Sequence, residues 1–176
     1  MRQTVPPQKI LIVYLTRTGN TRAVANMIHD EVGGTMVGLE LESPYPQNYQ
    51  KQVDQVVEEN ASSYLPPLKT PVANIQDYET VFVGAPTWDM QLPPPMKSFL
   101  GAYNLSGKTV VPFNTNGGYG PGSSFDEVKN LCPNATVLEG FSVEGGRERD
   151  GILFAMEDAK AARVKDSVRK WLQGIG

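Results

Sequence analysis

The chain holds little that could crosslink it or bind a soft metal. Its 176 residues include one cysteine, Cys132, and one histidine, His29. A single cysteine excludes an internal disulfide and favours a reducing compartment. One cysteine and one histidine leave no ligand set of the usual zinc type, and no metal site is expected. His29 falls in the first helical stretch, where it is expected to be solvated. Long apolar runs are missing too. None approaches the ~20 residues that cross a bilayer, so no membrane association is expected. The start, MRQTVPPQK, has no apolar h-region, so no signal peptide is expected and the expected location is cytoplasmic. Neither sign of charge dominates: 16 Lys and Arg against 19 Asp and Glu give a net charge of −3. There is no basic excess of the kind a nucleic-acid binder carries.

What is present fits an ordinary globule, with 40% hydrophobic and 20% charged residues. The length suits one domain, expected over 9–176 with 1–8 as an N-terminal extension. KILIVYL (9–15), TVFVGA (80–85) and TVVPF (109–113) are apolar on both parities, as in strands of a parallel sheet buried on both faces. TMVGLEL (35–41) alternates and reads as an edge strand. TVLEGFSV (136–143) is mixed and reads as the other edge. Helical spacing fills the gaps. Residues 20–32 place Val24, Ile28 and Val32 on one face, and residues 48–64 do the same with Tyr49, Val53, Val56, Val57 and Tyr64. Residues 94–103 carry Met96, Phe99, Leu100 and Tyr103. Ser124 with Glu127 reads as a capping box before Phe125, Val128 and Leu131. A last helix is expected over 157–173. The Pro-rich stretch 65–71 reads as a loop.

The alternation of strand and helix predicts a doubly wound five-stranded parallel sheet of the α/β class, order 2-1-3-4-5, with helices on both faces. Ligands bind such sheets at the carboxyl ends of the strands, near the point where strand order reverses. That directs attention to the loops after residues 15, 85 and 113.

The first loop is Thr16-Arg17-Thr18-Gly19-Asn20-Thr21. It opens a helix, so unpaired backbone N–H groups and the helix dipole favour an anion there. It could equally be a turn and a cap. It lacks G-x-x-x-x-G-K-[ST] and G-x-G-x-x-G, which excludes the common triphosphate and dinucleotide loops. The second, GAPTWDMQLPPP (84–95), carries Trp88, either folded back on the next helix or offered as a flat platform for a ligand. The third, NTNGGYGPGSS (114–124), is rich in glycine and carries Tyr119. Together they describe a pocket for a flat heterocycle attached to one phosphomonoester, a description met by flavin mononucleotide (FMN).

The chain resembles the flavodoxins from about Lys9 to Ile175. T-x-T-G-N-T after the first strand is similar to the family's phosphate loop. GAPTWDM resembles the loop that sets a tryptophan against the flavin ring, and FNTNGGYG the third flavin loop. The segment YPQNYQKQVDQVVEENASSYLPPL is an extension between the second and third strands. The absence of a long insertion in the fifth strand resembles the short-chain type. The resemblance implies that Thr16, Arg17, Thr18, Gly19, Asn20 and Thr21 hold the phosphate. It implies that Pro86, Thr87, Trp88 and Asp89 line the ribityl chain and ring. Thr115, Asn116, Gly117 and Gly118 would hold the ring's other edge, and Tyr119 departs from the pattern. It also places the turn after Trp88 at the edge of the ring, where Asp89 and Met90 supply no glycine.

No acid–base or nucleophilic triad is visible, so no catalytic residue is expected from the protein itself. The leading expectation is an FMN-bound electron carrier, monomeric or weakly dimeric, whose counterpart is a redox partner protein or NAD(P)H. An NAD(P)H-dependent quinone or nitro-compound reductase on the same fold is the alternative. A flavin-dependent protein-binding module is the third.

Overall fold

The computed structural model describes residues 5–176. The three doubly apolar runs form the centre of a parallel sheet: β1 (Ile10–Tyr14), β3 (Thr80–Pro86) and β4 (Thr109–Asn116), with β2 (Thr35–Gly38) outside β1. The strand order is β2-β1-β3-β4-β5, where β5 is Thr136–Val137, and β6 (Phe141–Glu144) also pairs with β4. Val13 lies in register with Val37 on one side and Val83 on the other. Every pairing is parallel, so each β strand points its carboxyl end to the same rim.

Period two in the strands divides the core into two halves. Leu11, Val13, Val81, Val83 and Val110 face one cluster, which α3 (Pro94–Ala102) completes with Met96, Phe99 and Leu100, and α4 (Ser124–Leu131) with Val128. Ile10, Ile12, Phe82, Val111 and Phe113 face the other. That half is closed by Val24 and Ile28 of α1 (Asn20–Val32) and by Val164 and Val168 of α5 (Asp158–Ile175). Gly84 stands opposite Phe113 across β3 and β4. A Cβ at Gly84 would collide with the Phe113 ring, so the bare backbone there is what admits the ring.

Four expectations change. The fifth strand is broken into β5 and β6 rather than running from 136 to 143. The break has a packing cause. The Glu139 carbonyl accepts a hydrogen bond from Trp171 Nε1 at 2.9 Å, and Gly140 abuts the Phe125 ring. The cap of α4 lies one residue earlier than expected: Ser123 is the N-cap, and its hydroxyl donates to Glu127 Oε2 at 3.1 Å. Glu127 also accepts from the Leu92 N–H at 2.7 Å, so it ties α4 to the loop before α3. His29 is half-buried rather than solvated, with Nε2 3.2 Å from the Gly34 carbonyl oxygen.

The fourth change matters most. Helix α2 (Tyr49–Ser62) presents Gln52, Val56 and Glu59 to the protein, whereas Val57 and Tyr64 are exposed. Val56 is buried yet belongs to neither core cluster. α2 therefore does not lie on the sheet like the other helices. Of the expected extension 1–8, residues 1–4 lie outside the described residues. Val5 packs on the α1–α5 half of the core, and Pro7 packs against Gly33 at the end of α1.

Candidate functional site

The loop after β1 turns on Gly19, whose φ of +94° is a conformation that only glycine adopts freely. Gly19 is the N-cap of α1, with no side-chain cap. The first bond of the helix runs from the Ala23 N–H to the Gly19 carbonyl oxygen at 3.0 Å. The N–H groups of the first turn before it are thus free of helical acceptors. Side chains fix the loop around them. Thr16 Oγ1 accepts from the Gly19 N–H at 3.0 Å, and Thr21 Oγ1 lies 2.8 Å from Thr115 Oγ1 on β4. Asn20 is only 4% exposed. Its Nδ2 donates to Thr18 Oγ1 and to the Leu153 carbonyl oxygen, and its Oδ1 accepts from the Ala155 N–H.

Arg17 takes a different role from its neighbours. Its Nε donates to Glu148 Oε1 at 2.8 Å and its Nη2 to Glu148 Oε2 at 3.0 Å. Its remaining contacts are to the Pro46 and Gln47 carbonyl oxygens, at 3.0 and 2.9 Å. A guanidinium has five donors in a fixed fork, and most of these are spent on tying the first loop to two others. The arginine charge is met by Glu148, so the attraction for an anion comes from the backbone N–H groups and the dipole of α1.

The second loop is a two-residue hairpin. The N–H of Trp88 donates to the Gln91 carbonyl oxygen and the reverse bond closes it, at 3.2 and 3.0 Å. Both central residues, Asp89 and Met90, have left-handed φ values of 55° and 54°. That is the type I′ pattern, which ordinarily takes Asn-Gly. The turn is pinned from outside. Asp89 Oδ2 accepts from Asn60 Nδ2 of α2 and from Gln91 Nε2, each at 3.2 Å. Lys97 Nζ then donates to Asn60 Oδ1, Gln91 Oε1 and Glu127 Oε1, at 3.1, 2.8 and 3.1 Å. The Asp89 carboxylate is therefore part of a network joining α2, α3 and α4. Trp88 packs against the α3 half of the core, as the first reading of its loop expects, and also lines a cavity. Tyr45 meets its ring edge-on, with centroids 5.3 Å apart.

The third loop leans on the second. Thr87 Oγ1 donates to the Gly120 carbonyl oxygen at 2.9 Å, and the Ser123 N–H donates to the Met90 carbonyl oxygen at 3.0 Å. Gly122 (φ +56°) passes so close to that carbonyl that no Cβ could be accommodated. Asn116 Oδ1 accepts from the Gly118 and Gly120 N–H groups and holds the loop in a tight arc.

The three loops surround one cavity of ≈ 450 Å³ at the carboxyl rim of the sheet. Every residue expected at the site lines it except Gly19 and Gly118, which shape the backbone behind the wall. Tyr119 stands at the mouth, 57% exposed. Two further walls were not anticipated. One is α2, through Tyr49, Gln52, Val53 and Val56; the other is the stretch Gly145–Asp150 after β6. The second carried a readable signal. It is another sheet-top loop, with Gly145-Gly146 followed by four charged residues. The first carried half a signal: the helical spacing of Tyr49, Val53 and Val56 marks one inward face, but not that this face meets a cavity rather than the core. Among the described residues, no group of three or more His, Cys, Asp or Glu comes together as a metal site, and no helix is long and apolar enough to cross a membrane.

Comparisons with known proteins agree on the family. The flavodoxin family model matches residues 9–158. A flavodoxin from Nostoc sp. is 27% identical over 160 residues, covering 89% of this chain and 78% of that one. A Bacteroides eggerthii structure, assigned as a flavoprotein, superposes with a TM-score of 0.75 at 27% identity, covering 95% of this chain and 97% of the other. A Lactobacillus acidophilus flavoprotein solved in complex with FMN superposes with a TM-score of 0.69 at 19% identity, over 77% and 93% of the two chains, and shares the fold. The family match, the strand order and the three converging loops lead to one conclusion: this chain belongs to the flavodoxin family.

Proposed function

We propose that the protein binds FMN in the sheet-top cavity and works as an electron carrier. The observation that carries this reading is the convergence of an uncapped helix N-terminus and a half-buried tryptophan on one cavity. The donor set fits a phosphomonoester. The open N–H groups of the α1 first turn and the threonine hydroxyls around them are hydrogen-bond donors, and they carry the fit without Arg17, whose charge Glu148 already neutralises. The volume fits a cofactor-sized ligand, since such sites fall at roughly 300–1,000 Å³. A neighbour of the same fold is solved with FMN, which adds support. Bound here, FMN would supply the redox chemistry. The chain's own residues do the rest: α1 holds the anionic end, Trp88 offers a flat apolar face, and the three loops keep bulk water from the walls.

The carrier reading is favoured over a reductase because the cavity is walled on several sides, by the three loops, α2 and the 145–150 stretch. The test is direct. Purified protein reconstituted with FMN is mixed with NADPH in the presence and absence of oxygen. The carrier reading expects no multiple-turnover oxidation of NADPH. Sustained turnover without a partner protein would replace it with the reductase reading.

A further inference from the structure

Helix α2 buries polar side chains that a helix packed on a dry core would leave outside. Its buried stripe, Gln52, Val56 and Glu59, recurs at the spacing of one helix face and is mostly polar. Buried polar groups are normally hydrogen-bonded, and an unpaired one is costly. Glu59 obeys the rule: Tyr45 Oη donates to Oε1 at 2.5 Å, and Gln55 Nε2 donates to Oε2 at 3.1 Å. Gln52 does not. It is 3% exposed, and its Nε2 has no hydrogen-bond partner among the described residues. The other buried group in this condition, Ser124 Oγ, lies outside the cavity wall. Gln52 lies in that wall, between Tyr49 and Val56 on α2.

We infer that Gln52 is a ligand-binding residue of this site: its side-chain amide hydrogen bonds to the cofactor, and α2 is placed over the cavity to deliver it. The inference rests on the FMN reading and extends it to a fourth wall. Loop anchoring supports the delivery. Arg17 of the phosphate loop holds the Pro46 and Gln47 carbonyl oxygens immediately before α2, and Asn60 near its far end holds Asp89. Both ends of α2 are thereby tied to loops of the site, which fixes the height of Gln52 above the cavity. An amide offers a donor and an acceptor together, which suits a heterocycle or polyol that presents both.

A ligand role and a structural role make opposite predictions for the cofactor-free protein. If the amide serves the ligand, it is a burden when FMN is absent, and a near-isosteric apolar replacement relieves it. The experiment measures the thermal midpoint without FMN, and the FMN dissociation constant by fluorescence, for wild type, Gln52→Met and Gln52→Leu. The inference expects at least one variant whose midpoint is equal to or above wild type and whose FMN affinity is weakened at least fivefold. Unchanged FMN affinity in both variants overturns it. So does a weakened affinity that comes only with a lowered midpoint, because that is structural damage. A wild-type protein that fails to bind FMN overturns the flavin reading itself, and is seen before any variant is compared.

Discussion

Trp88 stands between core and cavity. It is held by the α3 side of the core and by Tyr45, whose ring stands perpendicular to it with centroids 5.3 Å apart, and the proposed function has it stack on the flavin. Stacking on an aromatic ring adds about 0.5–1.5 kcal/mol beyond area burial. Trp88→Ala is expected to weaken FMN about tenfold and to relieve the quenching of flavin fluorescence on binding. Unchanged quenching would move the platform role to Tyr49 or Tyr119. Tyr45 behind it has a pH signature. Burial, helped by the Glu59 carboxylate, pushes its phenol well above the ordinary value of 10.0. The folded state then resists an ionisation that the unfolded chain undergoes. This contribution to stability is complete below pH 10 and is lost as the pH rises further. Tyr45→Phe is expected to flatten that alkaline decline. At neutral pH it should cost about 1–3 kcal/mol, because Glu59 loses its hydroxyl donor in a buried setting. Urea unfolding at pH 8 and pH 10.5 checks both parts, and an unaltered alkaline slope would refute the assignment to Tyr45. Arg17 shows where reading by residue type stops. The sequence places an arginine in the loop after β1, where an anion is expected, but only the folded chain reveals that Glu148, 131 positions away, has taken its charge.

At the scale of elements, the hairpin Trp88–Gln91 stores strain beside the cavity. Two non-glycine residues in the left-handed region cost roughly 1–2 kcal/mol each, and the Asp89–Asn60–Lys97–Glu127 network together with the Met90–Ser123 bond holds them there. Met90 is 50% exposed, so its side chain contributes little packing. Met90→Gly is therefore expected to stabilise the cofactor-free protein by about 1 kcal/mol after glycine's own entropy cost. For a domain of this size that is about 2–4 °C in thermal midpoint. A lowered midpoint would mean that the turn is not strained. The central strands were legible in the sequence because Ile10–Tyr14 and Thr80–Pro86 are buried on both faces, and a continuous apolar run has few other homes. The fifth strand was less legible. Its interruption depends on Trp171 and Phe125, which are distant in sequence. Helix α2 was located correctly and Tyr49, Val53 and Val56 do share its inward face, but Val57 and Tyr64 are exposed, since periodicity assumes that a helix buries its apolar face against a core. This one stands over a cavity, and the polar Gln52 sits among the apolar side chains of its wall.

For the molecule as a whole, parallel pairing gathers the carboxyl ends of β1, β3 and β4 at one rim, and the candidate cavity is a product of that topology. Three of its walls could be anticipated, because each loop follows a strand that the sequence announces. The walls from α2 and from Gly145–Asp150 depend on the folded path of two later connections. A ligand that binds only the folded state at 100 times its dissociation constant adds about 2.7 kcal/mol. Saturating FMN should thus raise the thermal midpoint by roughly 5–11 °C, and no shift would count against the cavity as its site. The central claim is that an open helix N-terminus at the cavity holds a phosphomonoester. Hydrogen bonds to charged groups contribute about 1.5–3 kcal/mol each, so a ligand without the phosphate should lose affinity steeply. The most direct measurement is a paired fluorescence titration of the cofactor-free protein with FMN and with riboflavin at fixed ionic strength. The account predicts FMN tighter by at least a hundredfold, while equal affinities, or binding of neither, would contradict it.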